Sequence, residues 1–228
     1  MIVYGRNAVR EALRGPRAVR TVWATKGAAK EFPKAVPASA DQIAARAGSD
    51  GHQGVCADVE EYRYADAGAL LRAPDPVLVA LDEVTDPQNL GAICRTAECT
   101  GATGVILPER RSAEVTPAVC KASAGAVEHL AVAQVRNLAD FLADAKSVGC
   151  WTYGAAAGAR TPYRKVDWRG GVVLVLGAEG KGLRPRVQAA CDDLVALPMR
   201  GRIESLNVSA TAAVFLYEIL QQRLDTST

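Results

Sequence analysis

The sequence predicts an α/β fold: a mostly parallel sheet with helices on both faces, preceded by a small α/β unit. Three observations lead there. Beyond residue 76, runs that are apolar at nearly every position (Val77–Leu81, Gly104–Leu107, Val172–Leu176) alternate with stretches of helical periodicity. A strand with no polar face must be covered on both sides, and helices returning between parallel strands supply that cover. Second, Pro74 and Pro76 interrupt the chain where its character changes, which places a boundary there. Third, charge is divided unevenly across that boundary. Residues 1–36 hold eight Lys/Arg against two acids, net +6, whereas residues 76–228 hold sixteen of each sign. The predicted organisation is a small unit over 1–64, a linker over 65–76 and a main domain over 77–228.

A basic unit on a balanced body suits a polyanion, most simply nucleic acid. A solvated surface helix is the plainer alternative. The composition, 49% hydrophobic and 23% charged over 228 residues, is that of a globular protein. No apolar run approaches a membrane span, and the start lacks the long apolar core of a signal peptide. The six cysteines (56, 94, 99, 120, 150, 191) form no C-x-x-C, and with two histidines they make no zinc pattern. We expect reduced, mostly buried thiols, no metal and a cytoplasmic protein.

In the first unit, Ala8, Val9, Ala12 and Leu13 have helical spacing, with Asn7 as a cap. Val19–Ala24 and Gly54–Val59 read as strands, and Ala40–Ala47 as a short helix. In the main domain, Val77–Leu81 is a strand. Leu90, Ile93, Cys94 and Ala97 make an i, i+3, i+4, i+7 stripe that stops near Gly101. A strand over Gly104–Leu107, a helix from Thr116 to Gly125 and a strand over Ala131–Val135 follow. Asn137 caps a helix through Val148. Cys150–Ala155, Val172–Leu176 and Leu194–Leu197 are further strands. Val208, Ala212, Phe215, Leu216 and Ile219 mark a last amphipathic helix.

Three stretches carry candidate chemistry. Asp86–Arg95 leaves the first main-domain strand, where open α/β sheets bind ligands. Asn89 opens the helix, and Arg95 lies off its apolar stripe. A capping Asn89 and an i, i+3 pair of Arg95 with Glu98 would explain both without function. Leu174–Leu183 ends a strand in a glycine loop. Gly177, Gly180 and Gly182 permit φ > 0 and close backbone approach, and Glu179 would repel a phosphate. A cationic ligand such as S-adenosylmethionine suits this loop, and an ordinary strand-to-helix turn is the alternative. Leu197–Val208 leaves a strand with Arg200 and Arg202, and offers Ser205 and Asn207 as contacts or as helix caps.

Together, D-P-x-N-x-G-x-x-x-R, L-G-A-E-G-x-G and L-P-M-x-G-x-x-x-S-L-N-V-S resemble the SpoU/TrmH branch of the SPOUT RNA ribose methyltransferases, over residues 77–223. Tyr4–Val9 and His52–Val55 look like the ribosomal-protein-like substrate-binding domain of the rRNA enzymes in that family. The resemblance implies a C-terminal trefoil knot that forms the cofactor cleft, a homodimer, and S-adenosylmethionine as cofactor. It places the cofactor on Gly177, Ala178, Leu197, Met199, Leu206 and Ala155. It implies catalytic roles for Arg95, Asn89, Glu179, Ser205 and Asn207, and RNA contacts for Arg6, Asn7, Arg10, His52 and Gln53. Between Phe32 and Gly54 the first unit looks shorter than the family pattern, with Pro33 and Pro37 where a helix would run.

A ribose 2′-OH is a poor nucleophile and must lose its proton as it attacks the methyl carbon. Arginine is normally always charged. Arg95 therefore either loses a proton transiently beside an RNA phosphate, or binds that phosphate while another group takes the proton. The expected function is 2′-O-methylation of a guanosine ribose in large-subunit rRNA. The alternatives are methylation of a tRNA ribose, methylation of rRNA that confers antibiotic resistance, and a non-catalytic RNA-binding or ribosome-assembly protein. A nucleotide-binding dehydrogenase fits poorly, because its glycine loop follows the first strand of its domain.

Overall fold

The computed structural model describes residues 1–225 apart from Glu179 and Glu204. The first unit runs β1 (Ile2–Tyr4), α1 (Arg6–Arg14), β2 (Val19–Ala24), β3 (Val36–Pro37), α2 (Ala40–Ala47) and β4 (Val55–Val59). Its sheet has the order β1-β4-β2-β3. α1 buries Ala8, Val9 and Ala12, but Leu13, expected on the same stripe, is 52% exposed. The cap of α1 is Gly5 at φ 93°, not Asn7. α2 starts in a capping box, in which Ser39 Oγ accepts from the Gln42 N–H and Gln42 Oε1 accepts from the Ser39 N–H. Around Pro33 and Pro37 the chain makes turns and then β3, an edge strand where proline is tolerated.

The chain then forms α3 (Ala67–Leu71), β5 (Val77–Asp82), α4 (Pro87–Cys99), β6 (Gly104–Pro108), α5 (Pro117–Ala122), β7 (Ala131–Val135), α6 (Leu138–Ser147), β8 (Trp151–Ala155) and β9 (Thr161–Pro162). It ends with β10 (Val172–Gly177), α7 (Pro185–Ala190), β11 (Asp193–Ala196) and α8 (Val208–Leu224). Seven parallel strands stand in the order β7-β6-β5-β10-β8-β11-β9. The short pieces α3, β9 and α7 have no periodic signal in the sequence. The alternation along β5 is visible in the packing: Val77, Val79 and Leu81 join one core, Leu78 and Ala80 the other. α4, α5 and α8 cover the first face, and α3, α6 and α7 the second. At the centre of the first core, Trp168 is fully buried, donates to the Tyr163 carbonyl at 2.8 Å, and meets Tyr153 and Phe215 edge-on.

All six cysteines are free. Burial pushes the Cys94 thiol up to about 12, so it stays protonated and inert. Among the described residues, no helix is long and apolar enough to cross a membrane.

The two units are docked by polar contacts that composition alone does not reveal. Arg17, one of the basic residues of the first segment, does not face solvent. Its guanidinium pairs with Glu128 of the main domain, Nε to Oε2 at 2.9 Å, and their side chains are 8% and 0% exposed. It also donates to the Glu60 carbonyl and lies over the Tyr62 ring. Burial alone weakens its charge, and the Glu128 carboxylate more than restores it. His129 Nε2 meets Glu11 Oε2 at 2.9 Å across the same junction. Where the first unit passes into the segment read as a linker the chain is tied to the body as well: the Val115 N–H donates to the Tyr64 hydroxyl, and the Ala65 N–H donates to the Val132 carbonyl. Arg17→Ala leaves Glu128 buried without its partner, so calorimetry is expected to show a loss of about 3–5 kcal/mol. An unchanged melting temperature would show that this pair does not hold the units together.

Candidate active site

The three candidate stretches meet at the carboxyl ends of β5, β8, β10 and β11. A cavity of about 140 Å³ is lined by Ala155–Ala157, Leu176–Ala178, Gly180, Gly182, Val195, Leu197, Met199, Ser205, Leu206, Val208, Thr211 and Phe215. All six residues expected to hold the cofactor lie on its wall, from stretches far apart in sequence. The wall is an apolar slot of Val195, Leu197, Leu206 and Phe215 facing a glycine backbone. That combination suits a flat heteroaromatic ring held by backbone groups.

Gly180 and Gly182 have φ 74° and 66°, as the glycine loop requires. Gly177 does not adopt positive φ, and its reason for being glycine differs from the expected one. A Cβ there would stand 2.2 Å from the Gly182 backbone carbon and 2.5 Å from the Leu183 nitrogen. The loop folds back onto Gly177, closed by the Gly182 N–H donating to the Ala178 carbonyl at 2.9 Å. Gly177 thus lets the loop close on itself, and the expectation of positive φ at this position is corrected.

A residue that motif reading passed over fixes this loop. Asp82 ends β5, in register with Gly177 across the sheet, and is fully buried. Its carboxylate accepts from the Arg184 N–H at 2.8 Å and from Arg184 Nε at 2.7 Å, with Nη2 at 2.6 Å. Both guanidinium nitrogens meet Oδ1 and the backbone N–H meets Oδ2, so the one carboxylate straps the far end of the loop to β5. The available signal was an acid at the carboxyl end of a buried strand.

Asn89 is not the cap of α4. Asp86 takes that position, accepting the Gln88 N–H at 2.9 Å, and Pro87 follows at the first helical position. Asn89 is therefore the third residue of the helix, within its first turn, and 9% exposed, and its Oδ1 accepts from Asn207 Nδ2 at 2.9 Å. Asn207 also caps α8, with its Oδ1 taking the Ser209 N–H at 2.9 Å. The capping explanation and the site explanation both hold for Asn207. One amide oxygen fixes the helix, and the amide nitrogen joins stretches 118 residues apart. Ser205 lies on the cavity wall. Glu179 lies outside the described residues.

Arg95 is exposed on α4 and lines neither this cavity nor the polar cleft beside it. It makes no ion pair with Glu98 among the described residues. That cleft, of about 290 Å³, shares Ala178 and Val208 with the first cavity and adds Glu83, Val84, Thr85, Asp86, Asn89, Arg111 and Lys181. Arg111 and Lys181 were not singled out by motif.

In the first unit, the expected RNA contacts cluster but are tied to one another. The Arg6 N–H donates to Gln53 Oε1 at 3.0 Å, and Arg10 donates to Asn7 Oδ1 at 2.9 Å while pairing with Glu31. His52 is buried, and its Nδ1 accepts the Gly54 N–H, which shapes the turn. Arg6 and Asn7 remain exposed, as does Gln53.

Residues 76–217 match the family model of the SpoU rRNA methylases. The chain belongs to this family. Residues 2–65 match a second model, that of the substrate-binding domain of RNA 2′-O ribose methyltransferases. An uncharacterised tRNA/rRNA methyltransferase of Synechocystis sp. is 40% identical over 97% of the chain, which spans 62% of that protein. YacO of Bacillus subtilis, assigned to the TrmH family of tRNA/rRNA methyltransferases, is 39% identical over 97% of the chain and 95% of its own length. Among solved structures, the SpoU methyltransferase AviRb of Streptomyces viridochromogenes, in complex with AdoMet, aligns over 98% of this chain and 90% of its own. Its TM-score is 0.83, at 25% identity. An AdoMet-bound rRNA methyltransferase of Sinorhizobium meliloti aligns over 96% of this chain and 86% of its own, with a TM-score of 0.82 and 27% identity. This SpoU family member is thus an RNA methyltransferase of the tRNA/rRNA kind, with a substrate-binding unit ahead of the main domain.

Proposed function

We propose that the chain methylates a ribose 2′-OH of structured RNA from S-adenosylmethionine, at a guanosine of large-subunit rRNA, and works as a cytoplasmic homodimer. The observation that carries the reading is the Asn207–Asn89 hydrogen bond, which joins the first and third motifs beside the cavity built from the second and third. When bound, the cofactor supplies a methyl group on a sulfonium, already activated for attack. The apolar slot of Val195, Leu197, Leu206 and Phe215 would hold its adenine, and Gly177, Ala178, Gly180 and Gly182 would border the rest.

The residues then orient and hold. Asn89, locked by Asn207 and packed on α4, presents its amide to the neighbouring cleft, where it can fix a ribose. Ser205 stands on the shared wall, within the same constellation. Most of the rate then comes from positioning a weak nucleophile against an activated carbon. Arg95 supplies a cation for the RNA phosphate or takes the proton, and Glu179 offsets positive charge.

Support for the dimer lies on α8. Its outward side shows Val214, Tyr217 and Leu224 at 38%, 55% and 55% exposure, and near the cavity Ile203 is 76% exposed. An exposed apolar stripe on a covering helix suits a second copy. A dimer would also bring a second Arg95, which the single chain holds away from both cavities. The trefoil knot belongs to the same reading, supported by the meeting of Leu176–Ala178, Leu197, Leu206, Val208 and Phe215 in one cavity. The rRNA preference is supported by the first unit, matched over residues 2–65 by the substrate-binding model.

The test is methyl transfer from labelled S-adenosylmethionine to unmodified rRNA and tRNA, followed by mapping of the modified nucleotide. Label on a guanosine 2′-oxygen of large-subunit rRNA is the expected result. Label on tRNA alone would move the substrate, and label on a base would overturn ribose chemistry.

A further inference from the structure

The polar cleft contains two non-glycine residues in the left-handed backbone region, Glu83 at φ 60° and Arg111 at φ 59°. Residues with a Cβ adopt this conformation at a cost, and such strain gathers where side chains are being aimed. The two come from different loops, after β5 and after β6, and their side chains meet: Arg111 Nη1 lies 3.4 Å from Glu83 Oε1.

The charges around them are unevenly matched. Glu83 also faces Arg184 at 3.7 Å, although Arg184 is already committed to Asp82. Asp86 is occupied as the cap of α4. Arg111 is 77% exposed and held by one long contact, and Lys181 makes no ion pair among the described residues. The wall of the cleft thus carries one loosely held guanidinium and one ammonium with no ion pair among the described residues, beside the Asn89 amide.

We propose that this cleft receives the acceptor nucleotide and that Arg111, with Lys181, grips its backbone phosphate, exchanging Glu83 for that phosphate as RNA enters. This rests on the reading of the chain as an RNA ribose methyltransferase. A planar guanidinium fork matches two phosphate oxygens better than it matches one carboxylate oxygen at 3.4 Å. The shared wall at Ala178 and Val208 puts a nucleotide so held beside the cofactor cavity. Glu83 keeps the guanidinium aimed into the cleft before RNA arrives. Arg111 is then a substrate-gripping residue, acting on affinity and not on the barrier.

The experiment uses the full chain, labelled S-adenosylmethionine, and in vitro transcripts of large-subunit rRNA and of tRNA. Arg111→Ala and Arg111→Gly are compared with wild type on whichever transcript wild type methylates. The glycine variant accepts the φ of this position without strain, which protects the fold. Both are expected to raise KM for RNA about tenfold, to keep kcat within about twofold and to lower the salt slope of RNA binding by about one. Arg111→Lys should recover part of the affinity as a point charge, and Glu83→Gln should lower KM by removing the competing carboxylate. Cofactor affinity, read by calorimetry, should not move. A wild-type KM and salt slope in Arg111→Gly would overturn the proposal. So would a fall in kcat at unchanged KM, or a loss of cofactor affinity, since either would mean that the loop serves the other cavity. If wild type methylates neither transcript, the functional reading falls first and takes the proposal with it.

Discussion

Arg95→Ala is expected to lower turnover at saturating RNA by about a hundredfold or more, the scale seen when a charge-stabilising group is removed. S-adenosylmethionine affinity should stay unchanged, because Arg95 is exposed on α4 and lines no part of the cofactor cavity. The same geometry sharpens the experiment. Asn89 sits in the site of its own chain, whereas Arg95 stands away from both cavities. If a second copy supplies Arg95, a mixed dimer of Arg95→Ala and Asn89→Ala chains contains one intact site and one doubly defective site. Co-expressed variants should then recover measurable turnover that neither has alone. If both residues act within one chain, every site in the mixture carries a defect, and no recovery is possible. Wild-type turnover in Arg95→Ala would remove this arginine from the chemistry altogether.

Asp82→Ala should strip the strap from the glycine loop. Asp82 is fully buried and takes both the backbone N–H and the side chain of Arg184. Losing charged hydrogen bonds of this kind costs about 2–3 kcal/mol. For a chain of this size that lowers the melting temperature by about 4–12 °C. The effect should also reach the cofactor, because Ala178, Gly180 and Gly182 of this loop line the cavity. Cofactor affinity is expected to fall about tenfold, in a protein that still melts in one transition. Asp82→Asn keeps an acceptor for the Arg184 N–H but loses the charge, and should fall between the two. Undiminished affinity in the alanine variant would mean that the loop holds its shape without Asp82.

Much of the main domain is legible in the sequence because its strands are buried on both faces. Val77–Leu81 and Val172–Leu176 have no polar positions to blur the signal, and the helical stripes of α4 and α8 are regular. The cavity wall at Gly177, Ala178 and Ala155 was legible through the motifs' resemblance to a family, since small residues in a fixed order leave a recognisable pattern. Elements that packing holds in place were not legible. α3 and α7 are too short for periodicity to register, and β9 has two residues. The N-terminal charge was misread at one residue: Arg17 counted toward a basic surface, yet a carboxylate 111 residues away takes it out of solvent.

By itself, the sequence determined the alternation of elements, the three motifs and the family. These follow from local periodicity and from residue types that only a few backbone shapes tolerate. Tertiary structure alone decided which polar groups face each other. Asp82 finds Arg184 across 102 residues, Asn89 finds Asn207 across 118, and Glu83 meets Arg111 between two strained loops. The first two pairs form because a buried charge or amide must be satisfied wherever the fold brings a partner. Nothing local in the chain specifies that partner, so the cleft beside the cofactor cavity becomes visible only once the sheet is assembled.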